Sequence, residues 1–246
     1  MLILANWKAY VEDGAKAKKL FGLAKRLTAK HRIEIVLAPA APWLGLFAAK
    51  NKSKVSFAAQ DVSATTGGPE TGEITAQIYA ASGARYAIIG HSERRAMGES
   101  GESIAKKVEH AIAHDLIPVL CIGEAERDDA GKYLMLIRAQ ITEALAAISP
   151  KERAQVIVAY EPIWAIGKTA SEAIRATDLA EMVLYIRKVL AEQLPGKNGK
   201  PLVLYGGSVE PENIRALAGG SGVDGFLVGH ASVDEGMFAG IVKALS

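Results

Sequence analysis

The sequence predicts a closed barrel of eight parallel strands, each followed by a helix, a (β/α)8 architecture. Three observations carry this. Eight short apolar stretches recur along the 246 residues, amphipathic helical patterns separate them, and chemically capable residues gather where five of the stretches end. Open sheets usually have fewer strands, so eight strand–helix units in a chain of this length favour closure.

The strands are expected at about 2–6, 33–38, 55–60, 86–90, 117–121, 156–160, 202–205 and 225–228. They are rich in β-branched residues and almost continuously apolar, as parallel strands buried on both faces must be. Between the first two, Ala17, Leu20, Phe21, Ala24 and Leu27 fall on one helical face. Between the sixth and seventh, Leu179, Met182, Val183, Ile186, Val189 and Leu190 do the same, and Pro195-Gly196 is expected to stop that helix. No linker or low-complexity segment divides the chain, so residues 1–246 read as a single catalytic domain. The longest polar, turn-rich loop, 64–73, follows the third strand and is a candidate for partner contact.

Bulk properties narrow the function. Half of the residues are hydrophobic, enough for a full core, and the net charge of +2 is too mild to argue for nucleic acid or an anionic membrane. Cys121 is the only cysteine, so no intrachain disulfide forms, which suits a reducing cytosol. No apolar run approaches the ~18 residues of a membrane span, and the N-terminus lacks a secretory signal pattern. A soluble cytoplasmic protein is expected.

Three motif matches fail on context. Gly220-Ser221-Gly222-Val223-Asp224-Gly225 fits G-x-G-x-x-G but precedes a strand, where a dinucleotide site needs it after one. Gly167-Lys168-Thr169 ends like a phosphate-binding loop, but Pro162 occupies the position of its first glycine. His110 and His114 are one helical turn apart without a third metal ligand, so a solvated face is the better reading. Neither a metal nor a cofactor is expected.

What remains lies at strand ends, which share one mouth in such a barrel. Asn6 and Lys8 follow the first strand, His91-Ser92-Glu93-Arg94 the fourth, Glu161 the sixth, Gly206-Gly207-Ser208 the seventh and Gly229-His230 the eighth. His91 could be a core histidine, but the residues after it are too polar for a core. Glu161 could be a surface carboxylate, but the apolar segment Pro162-Ile163-Trp164-Ala165-Ile166-Gly167 makes better sense as a lid over a ligand. The glycine turns after the last two strands make a phosphate cradle. Cradle, lysine, imidazole, carboxylate and lid together suit proton abstraction beside a carbonyl in a small phosphorylated sugar.

The chain closely resembles the triosephosphate isomerase family. The resemblance rests on Ala5-Asn6-Trp7-Lys8, Gly90-His91-Ser92-Glu93-Arg94-Arg95, Pro118-Val119-Leu120-Cys121-Ile122-Gly123-Glu124, Ala159-Tyr160-Glu161-Pro162-Ile163-Trp164-Ala165-Ile166-Gly167, Tyr205-Gly206-Gly207-Ser208-Val209 and Asp224-Gly225-Phe226-Leu227-Val228-Gly229, in order over essentially the whole chain. It implies a single TIM barrel that interconverts D-glyceraldehyde 3-phosphate and dihydroxyacetone phosphate in glycolysis and gluconeogenesis. It implies Glu161 as base, His91 as a neutral electrophile, and Lys8 as a positive charge on substrate and transition state. This glutamate–histidine pairing is the family's own standard example and comes with the resemblance. Asn6, Gly167, Ser208, Gly229 and His230 are implied to bind substrate, with Ser92, Glu93 and Cys121 in support. A homodimer through loop 64–73 is implied too, with Thr71 supporting the partner's Asn6 and Lys8 and Glu73 facing the partner's Arg94. Two departures stand out. The usual lid Ala-Ile-Gly-Thr-Gly-Lys-Thr-Ala reads Ala165-Ile166-Gly167-Lys168-Thr169-Ala170, two residues fewer at the tip. The second glycine of the usual pair after the eighth strand is His230. These departures motivate an alternative isomerase for another short sugar phosphate, such as a tetrulose phosphate. A non-catalytic phosphate-binding barrel is the remaining reading.

Overall fold

Side chains of a strand alternate between its two faces, and in this chain both faces are apolar. Two separate layers of buried residues result. Leu2, Leu4, Val36, Ala38, Tyr86, Ile88, Val119, Cys121, Ile157, Ala159, Leu204 and Leu227 pack together as one group, the filling of a barrel interior. Their neighbours in sequence, such as Ile3, Ala5, Ile35, Leu37, Phe226 and Val228, pack against the helices.

The computed structural model describes residues 1–168, 173–194 and 200–246. Its strands are β1 (Leu2–Asn6), β2 (Glu34–Ala38), β3 (Ser56–Ala59), β4 (Tyr86–Ile89), β5 (Ile117–Ile122), β6 (Ile157–Tyr160), β7 (Val203–Tyr205) and β8 (Gly225–Val228). Each pairs in parallel with the next, and β8 closes on β1, giving a closed barrel. All eight expected strands are found. Most are a residue or two shorter than expected, because residues such as Ile33, Val55 and Gln60 turn into or out of the barrel before ladder pairing begins or after it ends.

The helices are α1 (Gly14–Lys30), α2 (Ala41–Ala48), α3 (Ala76–Ala81), α4 (Ser92–Ala96), α5 (Gly101–Ala113), α6 (Lys132–Ala144), α7 (Pro150–Arg153), α8 (Ala176–Gln193), α9 (Ile214–Gly220) and α10 (Glu235–Ala244). Asp13 caps α1 by accepting from the Lys16 N–H at 2.8 Å. The buried face of α1 holds the five predicted residues, and that of α8 holds its predicted six. Helix α8 ends at Gln193, and the predicted stop at Pro195-Gly196 lies outside the described residues. Among the described residues, no helix is long and apolar enough to cross a membrane.

The closing seam leaves no room at its first step. Leu2 pairs with Gly225, and a Cβ on Gly225 would sit 2.1 Å from the Leu2 carbonyl oxygen. Both atoms belong to backbone fixed in the ladder, so neither can yield cheaply. Gly225→Ala is therefore expected to cost about 3 kcal/mol, a fall in melting temperature of ~10 °C for a chain of this size. Thermal denaturation followed by circular dichroism checks this, and an unchanged midpoint would show that the seam is not close-packed.

Candidate functional site

The alternation that fills the interior also loads the mouth. Two residues beyond Leu4, the next inward position of β1 is Asn6. Two beyond Ala159, the next on β6 is Glu161. The same step past Leu204 and Leu227 gives Gly206 and Gly229. These residues line a cavity of about 400 Å³, together with Lys8, His91, Gly167, Ser208 and His230. The nearest-in-sequence elements thus contribute little to one another; the barrel brings the site together.

His91 caps α4, and its Nδ1 accepts from the Glu93 N–H at 3.2 Å. A backbone N–H aimed at Nδ1 places the ring hydrogen on Nε2. That Nε2 stands 3.1 Å from Glu161 Oε1. The other carboxylate oxygen of Glu161 accepts from the Ser92 N–H at 3.0 Å. Glu161 is only 2% exposed. Burial pushes its carboxyl above the ordinary carboxylate range, while His91, the Ser92 N–H and Lys8 pull it back. Cys121 lies fully buried behind it, and burial raises its thiol well above the usual value, with the Glu161 charge acting in the same direction.

Lys8 adopts a φ of +45°, a left-handed conformation that costs a non-glycine residue ~1 kcal/mol or more. Three polar contacts hold the turn. The Lys8 N–H donates to Asn6 Oδ1 at 3.0 Å, Gln60 Nε2 donates to the Lys8 carbonyl at 2.9 Å, and the Lys8 ammonium meets Glu93 Oε1 at 2.6 Å. Glu93 is well exposed, so it holds the ammonium over the mouth without burying it.

The lid is anchored at its first turn. A 3₁₀ turn spans Ile163–Ala165. Trp164 Nε1, Tyr160 Oη and Arg127 Nε all donate to Oε1 of the fully buried Glu124, at 3.0, 2.7 and 3.1 Å. The Arg127 guanidinium also lies over the Trp164 ring, 4.9 Å from its centre. Farther along, the Lys168 N–H donates to Ser208 Oγ, which itself donates to the Ala165 carbonyl, both at 3.0 Å. Of the lid tip, Thr169 and Ala170 lie outside the described residues. The connection from Glu161 to α8 covers 162–175, of which 169–172 lie outside the described residues.

After β8, Gly229 leads directly into a second 3₁₀ turn, His230–Val233. The Lys8 Cε and Nζ lie 3.5 and 3.9 Å from the position a Cβ on Gly229 would take. Gly229 thus lies in ordinary contact range of the Lys8 side chain. The predicted residues Asn6, Lys8, His91, Glu161, Gly167, Ser208, Gly229 and His230 all face one cavity, and Ser92, Glu93 and Cys121 stand behind it. Sequence reasoning missed several supports. Gly206 touches Glu161, since a Cβ there would lie 2.9 Å from Glu161 Cγ. Gln60, Glu124 and Arg127 hold loops rather than ligand, and Tyr10 lines the mouth. Only their place just beyond strand ends could have signalled them.

The sequence profile described as triosephosphate isomerase matches residues 1–245. The chain belongs to the triosephosphate isomerase family. Relatives that carry the name triosephosphate isomerase include one from Moorella thermoacetica, 39% identical over 98% of this chain and 97% of its own length. Others come from a Roseiflexus species, 38% identical over 99% and 97%, and from Symbiobacterium thermophilum, 36% identical over 99% and 96%.

The raised Glu161 carboxyl has a consequence for stability. In the unfolded chain this group titrates near 4.5, and in the folded state it titrates higher. Wild-type stability is thus lost as pH rises from the unfolded value through the folded one. Glu161→Gln carries no such loss. Its melting temperature relative to wild type is expected to become more favourable between pH 4 and pH 8. A gap that shifts the other way over that range would contradict the raised carboxyl.

Proposed function

We propose that Glu161, His91 and Lys8 interconvert D-glyceraldehyde 3-phosphate and dihydroxyacetone phosphate in this mouth. The supporting observation is the 3.1 Å approach of His91 Nε2 to Glu161 Oε1, with Nδ1 capped by the Glu93 N–H. It sets a base and a neutral hydrogen-bond donor side by side. The Glu161 carboxylate takes a proton from C1 of the ketose, and the C–H electron pair becomes the double bond of an enediolate. The His91 Nε2–H and the Lys8 ammonium face the carbonyl oxygen as it gains negative charge. The protonated Glu161 then returns the proton to C2, giving the aldose. Hydroxyl protons shift through His91, so no net charge is left behind. Burial keeps the carboxylate strongly basic, and closure of the lid keeps water from the enediolate.

Asn6 positions Lys8 and contacts substrate in this reading. The backbone N–H groups of Gly167, Ser208, Gly229 and His230 hold the phosphate. Residues 1–246 then act as one catalytic domain of a soluble cytoplasmic enzyme in glycolysis and gluconeogenesis, without a cofactor.

A coupled assay with both triose phosphates tests the activity. Glu161→Asp withdraws the carboxylate by ~1 Å, and a misplacement of that size can cost ~100-fold in turnover. Gly206→Ala pushes on the same side chain from below and is expected to lower turnover by a similar factor. Retained turnover in Glu161→Gln would overturn the assignment of the base.

We also propose a homodimer through loop 64–73. Gly67, Gly68 and Gly72 have positive φ, and nothing lies within 4 Å of where a Cβ on any of them would stand, so these three turns face open space. Thr71 then reaches the partner's Asn6 and Lys8, and Glu73 faces the partner's Arg94, which in its own chain meets Asp61 at 2.9 Å. Light scattering at micromolar concentration is expected to give twice the 26.0 kDa chain mass. A fully active monomer would refute the dimer.

A further inference from the structure

At the mouth of the cavity two aromatic rings meet that the proposed proton transfer does not use. Tyr10 follows β1 and His230 follows β8, and these strands pair across the closing seam, Ala5 opposite Val228. The two rings lie edge-on, with centres 5.8 Å apart and planes at 77°. Both line the cavity that also holds Lys8, Ser208 and Gly229. Tyr10 is half exposed, so one face of the pair is open to the mouth. The imidazole begins one residue after the glycine that packs against the Lys8 ammonium. Edge-on contact with Tyr10 restricts its rotation, and a group held in place loses less entropy on binding.

We propose that the His230 side chain is a further phosphate-binding group and that Tyr10 is its positioning residue. The proposal rests on the reading of this mouth as a triose phosphate site. A ring nitrogen of His230 donates a hydrogen bond to a phosphate oxygen, in addition to the backbone donors of the same turn. Imidazole carries at least one N–H in either common protonation state, and a bond from it to a dianion is charge-assisted. The chain therefore reads phosphate with a side chain from β8 where a second glycine would offer only its N–H. Lys168 and Lys8 line the same cavity, which adds positive charge to the site proposed for the phosphate.

The test compares wild type, His230→Gly, Tyr10→Ala, Tyr10→Phe and the Tyr10→Ala/His230→Gly double variant, all as the full chain. Calorimetry gives the Kd of inorganic phosphate, and steady-state kinetics give KM and kcat for dihydroxyacetone phosphate. Phosphate-free glyceraldehyde serves as the comparison substrate. His230→Gly is expected to raise the phosphate Kd and the KM about tenfold, with a smaller change in kcat. Its kcat/KM for phosphate-free glyceraldehyde falls by a smaller factor than for the phosphate ester. Tyr10→Ala raises both constants about threefold, Tyr10→Phe keeps them, and the double variant is no worse than His230→Gly alone. A phosphate Kd and KM within twofold of wild type in His230→Gly would overturn the proposal. So would an equal loss on both substrates. Independent, additive effects of the two substitutions would overturn the role of Tyr10. If wild type binds phosphate but does not turn over triose phosphates, the isomerase reading falls while the phosphate comparison still decides the role of His230.

Discussion

The inward step of two residues along each strand is the constraint on which the rest of this protein depends. Closure of β8 on β1 forces every strand to face both a filled interior and a helical layer. Leu2, Leu4 and Asn6 then point the same way, as do Ile157, Ala159 and Glu161. A one-residue slip of either strand would turn a polar mouth residue, Asn6 or Glu161, into the helical layer and an apolar one into the mouth. Gly225 fixes that register at the seam because no side chain fits against the Leu2 carbonyl. Stability and function are thus tied to one geometric condition.

Within the mouth, the energetic cost is concentrated at two places. Glu161 is a buried carboxylate, stabilised by one backbone N–H, one imidazole and a nearby ammonium. Lys8 is held in a left-handed conformation by Asn6 and Gln60. Both features disfavour the folded state locally and are maintained by the packing around them. In the proposed reaction both would serve chemistry: a desolvated carboxylate is a stronger base, and the turn at Lys8 sets its ammonium beside Glu93 at the mouth. The lid shows the same division. Its first turn is tied to buried Glu124 through Trp164, while among the described residues Lys168 and Ala165 bond to Ser208.

Tyr10 and His230 sit where the two ends of the chain meet. Their contact couples the loop that carries Lys8 to the turn that carries Gly229.

Much of this protein was legible in its sequence. The eight strands could be read because burial on both faces makes parallel strands nearly continuous in apolar character, and the buried faces of α1 and α8 because helical periodicity is local. Asn6, Lys8, His91, Glu161 and Gly229 could be named because polar and glycine residues just beyond such strands stand out. The tertiary structure alone decided what these residues do to one another. The tautomer of His91 depends on the Glu93 N–H, the basicity of Glu161 on its burial, and the position of Glu161 on the absence of a Cβ at Gly206, a residue of the next strand's end. The sequence assigned no role to Gln60, Glu124, Arg127 or Tyr10, because their roles exist only as contacts. Local patterning records which face of an element is buried. Closure of the barrel sets distances between residues far apart in sequence, and those distances determine charge, tautomer and reach.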